Sequence, residues 1–226
     1  MLTTINHLLV MSARQQAGLS HLVVKRWAIG MTLDEFEMKL VTLIGRPTNL
    51  RPFVCNGSPL ACDVFVVGFN PATEMAGDFW DHWKAGLGFD KSAWFQAYLS
   101  DRWTRPLKPG KKSRPALSNT RRCLGWIEDG ARGVSILETN VFAKASETKP
   151  ELALKDRNAA PFRFLVDVVK PKVIVAHGAD AHAAVDQLNT KAQVLKVPHL
   201  SRGWSEERAR EFGRSLAAMP DNLSPP

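Results

Sequence analysis

The chain has 226 residues, 45% of them apolar, with 30 Lys and Arg against 22 Asp and Glu and a net charge of +8. That length builds a single α/β domain without disulfides or metals to staple it, and the positive excess favours polyanionic partners. Three cysteines, Cys55, Cys62 and Cys123, with no C-x-x-C pair, argue against a disulfide framework, a zinc site or a four-thiolate cluster and point to a reducing, cytoplasmic compartment.

Residues 1–50 read as a helical extension packed on the core. Its apolar run Leu8-Leu9-Val10-Met11 is too short for a signal segment, and no stretch approaches a membrane span. Thr32-Leu33-Asp34-Glu35 forms a capping box ahead of the periodic set Phe36, Leu40, Leu43 and Ile44, and Gly45 and Pro47 end that helix.

Residues 51–220 read as the main domain. A loop through Asn56-Gly57-Ser58-Pro59 leads to a first strand at 64–68, whose continuous apolar run suits a strand covered on both faces. It stops abruptly on Gly68-Phe69-Asn70-Pro71. An aromatic-rich helical region follows, with Trp83, Trp94, Phe95, Tyr98 and Trp103 expected against the sheet. Residues 102–122 then carry eight basic side chains, Lys111, Lys112 and Arg114 among them, and no acid. With its prolines and Gly110 the segment reads as a basic loop, either solvated or touching phosphate, that runs into a helix over 117–130.

A second strand over 134–140 ends on Asn140. A helix starting near Thr148 continues through Phe162, Phe164, Leu165 and Val168 and halts at Lys170-Pro171. A third strand, 173–176, runs into His177-Gly178, and a helix over 179–188 follows. The fourth strand, 193–197, leads into Pro198-His199-Leu200-Ser201. Ser205-Glu206-Glu207 opens a last helix that reaches about residue 219, and 221–226 form a frayed tail. Strands separated by helices, without hairpin signals, predict a three-layer α/β/α sandwich around a four-stranded, mainly parallel sheet. The strand ends then share one edge, where such folds bind ligands.

The G-x-G-x-x-G fingerprint, the G-x-x-x-x-G-K-S/T phosphate loop and the G-x-S-x-G elbow are all absent. The six histidines, among them His7, His21 and His82, show no H-x-x-x-H spacing, so neither metal nor cofactor is expected. His177 reads as a structural histidine and His182 as a surface one.

Gly68-x-Asn70-Pro71 after the first strand, Asn140 closing the second and His199-x-Ser201 after the last resemble, in order and strand context, the motifs of the uracil-DNA glycosylase superfamily. The likeness covers roughly residues 50–210. It implies a monomeric enzyme of DNA base excision repair that flips uracil or a related deaminated base and hydrolyses its N-glycosidic bond. Asn70 and His199 would be catalytic. Asn140 would read the base, with Phe79 as the stacking platform, Trp80 as its alternative and Phe69 as a further wall. Ser201 would bind phosphate with Arg202 beside it, and Trp204 would either wedge into the duplex or cover the start of the last helix. The chain departs from the family's pattern in three places: Asn70 stands where Asp also occurs, Leu200 replaces the proline of H-P-S, and the loop from Pro71 to Phe79 is short.

The residue types suit that chemistry. Negative charge grows on a departing base, so fixed donors aimed at it lower the barrier. A histidine can donate to uracil O2, while an asparagine can donate to O4 and accept from N3–H, a pattern cytosine reverses. Asn70 can orient a water but cannot take its proton; Glu74 or Asp78 would be the nearby carboxylates. Two other readings remain open: a non-catalytic nucleic-acid-binding member of the same fold, and an unrelated doubly wound nucleotide-binding enzyme.

Overall fold

The computed structural model describes residues 30–107 and 109–222; the run Leu8–Met11, His7, His21, Lys108 and tail residues 223–226 lie outside the described residues. From Leu33 onward these residues belong to one compact unit. In chain order it contains α1 (Leu33–Ile44), β1 (Phe53–Val54), β2 (Val64–Gly68), β3 (Trp83–Lys84), β4 (Gly88–Phe89), α2 (Lys91–Thr104) and α3 (Asn119–Gly130). There follow β5 (Ile136–Asn140), α4 (Ala160–Val169), β6 (Val173–His177), α5 (Ala179–Val185), β7 (Gln193–Val197) and α6 (Glu206–Asn222).

The main sheet is ordered β1-β5-β2-β6-β7. β5, β2, β6 and β7 run parallel, and helices separate them along the chain as a right-handed α/β architecture requires. The expected sheet is therefore present with one strand more than expected. The addition, β1, pairs antiparallel with β5 through only Phe53↔Thr139 and Val54↔Glu138. Two residues after Pro52 are too short a run to show a period in sequence. β3 and β4 make a separate small ribbon.

The central strand β2 is buried at every position. One face of the sheet packs Val64, Val66, Ile136, Val173 and Val175 against Cys123, Leu124 and Ile127 of α3 and Ala209 and Leu216 of α6. Those two helices touch backbone to backbone, because a Cβ on Gly130 or Gly213 would strike the facing main chain. On the other side, Phe36 of α1 meets Phe53, Trp83 and Phe164.

Three local expectations are corrected. Trp83 lies in the small ribbon rather than a helix, and Trp103 is 84% exposed. Trp103 follows the buried Trp94 by nine residues, which on a helix is half a turn round to the opposite face. The helix expected from Thr148 begins at Ala160. The Glu151 carboxylate accepts the N–H groups of Glu147 and Thr148 at 3.1 and 3.2 Å, closing a turn, and Asn158 accepts the Ala160 N–H at 2.9 Å where α4 starts.

Candidate functional site

The parallel register brings the strand ends level, with Gly68 of β2 opposite Asn140 of β5 and His177 of β6 opposite Val197 of β7. A cavity of about 570 Å³ opens at this edge, walled by Phe69, Asn70, Asn140, His177 and His199. Toward the middle of β5 it continues to Glu138 and three arginines. The volume lies in the range of small-molecule sites.

Gly68 makes the convergence possible. A Cβ there would lie 2.6 Å from Asn140 Oδ1 and 2.9 Å from His177 Nε2, so only glycine lets both side chains close over the end of β2. The Asn140 amide makes no hydrogen bond to any described residue. His177 is 8% exposed, and its Nδ1 is buried without a partner. Polar groups so placed are normally satisfied, so their lack of protein partners marks a place for a ligand or water. His177, read from sequence as structural, thus belongs to the site's wall; nothing in its local sequence separates the two roles.

His199 stands edge-on to His177, ring centres 4.9 Å apart at 82°. Ser201 donates its backbone N–H to His199 Nδ1 at 3.2 Å, and its hydroxyl lies 2.8 Å from the same nitrogen. A backbone N–H can only donate, so Nδ1 carries the lone pair and Nε2 carries the proton. Burial, and then Arg202, lower the His199 pKa, which keeps the ring neutral. Burial, His199 and His182 push His177 down to about 3. Leu200 is 1% exposed and joins the core beside α3 and α6. It anchors the loop by apolar burial.

Asn70 lies in the wall, but its NH2 is engaged. It donates to Ser146 Oγ at 2.8 Å and faces the carbonyls of Pro71 at 3.1 Å and Ser146 at 3.3 Å. This ties the end of β2 to the loop after β5 and leaves Oδ1 as the group able to hold a water. Glu74 and Asp78 do not line this cavity. Asp78 caps the turn that carries Phe79 and Trp80, accepting Thr48 N–H at 3.1 Å and Trp80 N–H at 3.0 Å.

No protein-family model and no curated protein matches the chain.

Several expected contacts fall elsewhere. Phe79 is no platform: it is 6% exposed, stacks on Phe89 at 5.3 Å and meets Phe53 edge-on at 5.2 Å. The capping box of Asp78 and Asp81 coils residues 79–82 into a tight turn that sends both aromatics inward. Trp80, the alternative, donates Nε1–H to the Gly45 carbonyl at 2.8 Å. Phe69 lines the cavity beside the strand ends, braced edge-on by Phe142 at 5.1 Å, while Phe53, Trp94 and Tyr98 line other parts of the wall. Trp204 packs on Phe212 of α6 at 5.6 Å, under the Arg208 guanidinium at 4.8 Å, and so covers the helix rather than standing out as a wedge.

Arg114 is also committed. Its guanidinium donates to the carbonyls of Arg102 at 2.7 Å, Arg105 at 3.2 Å and Pro106, stapling the basic loop. Lys111, Lys112 and Arg202 are exposed. His182 is no surface residue: Nε2 lies 3.1 Å from the Ala176 carbonyl and 2.9 Å from that of Val197, joining the ends of β6 and β7. Among the described residues no cluster of three His, Cys, Asp or Glu is arranged to hold a metal, and no helix is long and apolar enough to cross a membrane.

Proposed function

We propose that the chain is a metal-independent DNA glycosylase of the uracil-DNA glycosylase type, acting on uracil or a related deaminated base. The observation that carries this reading is one cavity in which an unpartnered Asn140 amide and a neutral His199 with its proton on Nε2 share the wall beside Gly68. Asn140 would pair with O4 and N3–H of uracil. His199 would donate from Nε2 to O2 as negative charge gathers on the leaving base, the kind of fixed donor that usually dominates such catalysis. Phe69 takes the stacking role in place of Phe79. Asn70 Oδ1 would orient the attacking water without deprotonating it, which implies slow turnover.

DNA is the partner in this reading, met by Ser201, Arg202, Lys111 and Lys112, with the protein acting as a monomer in the cytoplasm. A second reading, binding without catalysis, is favoured by one observation: the Asn70 amide is tied to the loop after β5. Abasic-site formation on U:G, U:A and single-stranded uracil oligonucleotides separates the two. Cleavage lost on His199→Ala supports the enzyme; salt-dependent binding without release of uracil, hypoxanthine or xanthine overturns it.

A further inference from the structure

The far end of the cavity has a chemistry of its own. Glu138 lies two residues before Asn140 and on the same face of β5, about 7 Å along the strand. Its carboxylate takes both arms of Arg121, at 2.7 Å to Oε1 and 2.5 Å to Oε2, and also the Lys91 ammonium at 2.8 Å. Lys91 reaches Glu128 as well. Two carboxylates thus serve Arg121 and Lys91, and neither is hydrogen-bonded to the third cation.

That cation is Arg51, just before β1. Its backbone N–H is fixed to the Ala143 carbonyl at 3.0 Å and its guanidinium lies 5.9 Å from the Trp94 ring. The guanidinium has no hydrogen bond or ion pair with any described residue, yet it lines the cavity. Burial, and then Arg121, lower its pKa to about 10, so it remains charged at neutral pH. Glu138 favours the charge from a distance, but the partly exposed guanidinium keeps its donors free toward the cavity, where an anionic ligand could take them. The planar fork of a guanidinium matches two oxygens of a carboxylate or phosphate. Tyr98 and Ser118, whose hydroxyls lie 3.4 Å apart, line the same end and can add donors.

We propose that this end of the cavity is an oxyanion subsite, in which Arg51 pairs with a carboxylate or phosphate on a ligand whose planar ring lies against Asn140 and His199. The ring half rests on the glycosylase reading; the anion half does not. In that reading the preferred substrate is a base or nucleotide bearing an acidic group rather than plain uracil.

Calorimetric binding to the full chain at low salt tests this with four probes: uracil, a carboxylated uracil, deoxyuridine monophosphate and inorganic phosphate. Charge-assisted hydrogen bonds to Arg51 should make at least one charged pyrimidine bind about 10-fold or more tightly than uracil. Whether the carboxylate or the phosphate gains identifies the source of the oxyanion. Arg51→Gln should erase the gain and leave uracil binding unchanged, while Arg51→Lys, which keeps the charge, should retain part of it. Charged probes no tighter than uracil, or a gain that survives Arg51→Gln, would overturn the subsite. Arg51-dependent binding of phosphate without any binding of uracil would keep the subsite and remove the base pocket.

Discussion

Ser201 donates its backbone N–H to Nδ1 of His199 at 3.2 Å, and because an N–H can only donate, that bond sets which face of the imidazole can donate to a ligand. His199→Ala should lower the rate of base release about 100- to 1,000-fold, as loss of a comparable fixed donor does. Ser201→Ala keeps the backbone N–H and with it the tautomer. It should change the single-turnover rate less than about 10-fold, because the backbone bond still holds Nδ1 once the hydroxyl at 2.8 Å is gone. Equal rate losses for the two variants would refute the tautomer argument.

Gly68→Ala tests the convergence over β2. The new methyl must displace the ends of two side chains, Asn140 Oδ1 and His177 Nε2, rather than backbone. Thermal unfolding should shift by only a few degrees, whereas misplacing Asn140, the proposed base reader, by about 1 Å should reduce activity about 100-fold. A variant with unchanged activity would show that Asn140 does not read the base from this position.

Acid should expose the cost of keeping His177 neutral. Its pKa is held at about 3 by burial, then by His199 and His182, against about 6.5 in an unfolded chain. The unfolded state therefore binds the extra proton below about pH 6.5, and stability present above that pH is lost as pH falls toward 3. The slope is about 1.4 kcal/mol per pH unit, hence about 2 kcal/mol by pH 5. Glu128, raised to about 7 by burial and then by Glu138, acts with the opposite sign over the same interval. The readout is accordingly a difference: between about pH 7.5 and 5, urea unfolding should show the wild type losing about 2 kcal/mol more than His177→Gln. Parallel losses would mean that His177 is charged in the folded state.

Two phenylalanines separate platform from core. Phe79→Ala opens a hole among Phe53, Trp80 and Phe89 and should cost about 3–5 kcal/mol of stability. The folded fraction of that variant should retain its rate of base release. Phe69→Ala loses its contact with Phe142, about 1 kcal/mol. Its main effect should be about 10-fold weaker base binding or more, from lost stacking. The opposite pairing of effects would return the platform to Phe79.

The basic loop divides in the same way. Lys111 and Lys112 are exposed, and replacing both by Ala should reduce the slope of log affinity against log salt by about 2 on duplex DNA. Arg114→Ala should instead loosen the loop by freeing the carbonyls of Arg102, Arg105 and Pro106, visible as faster proteolysis there. A salt slope unchanged in the double variant would remove this loop from the DNA contact.

The four parallel strands and the polar residues at their ends were legible in the chain itself, because the buried runs at 64–68, 136–140 and 173–177 carry their pattern locally, whereas the order β1-β5-β2-β6-β7 was not. So was the last helix, whose Ser205 hydroxyl accepts the Arg208 N–H at 3.2 Å as a cap should. What each aromatic or charged side chain does was not legible. Phe79 and Phe69 are alike as residue types, and only the turn closed by Asp78 and Asp81 sends the first into the core while the second stays in the cavity wall. Arg114 meets the carbonyls of its own loop, whereas Arg51 meets the cavity, and nothing in the residue type separates the two. Those outcomes depend on contacts between residues far apart in the chain, such as Arg51 with Trp94 and Asn70 with Ser146, which no local period encodes.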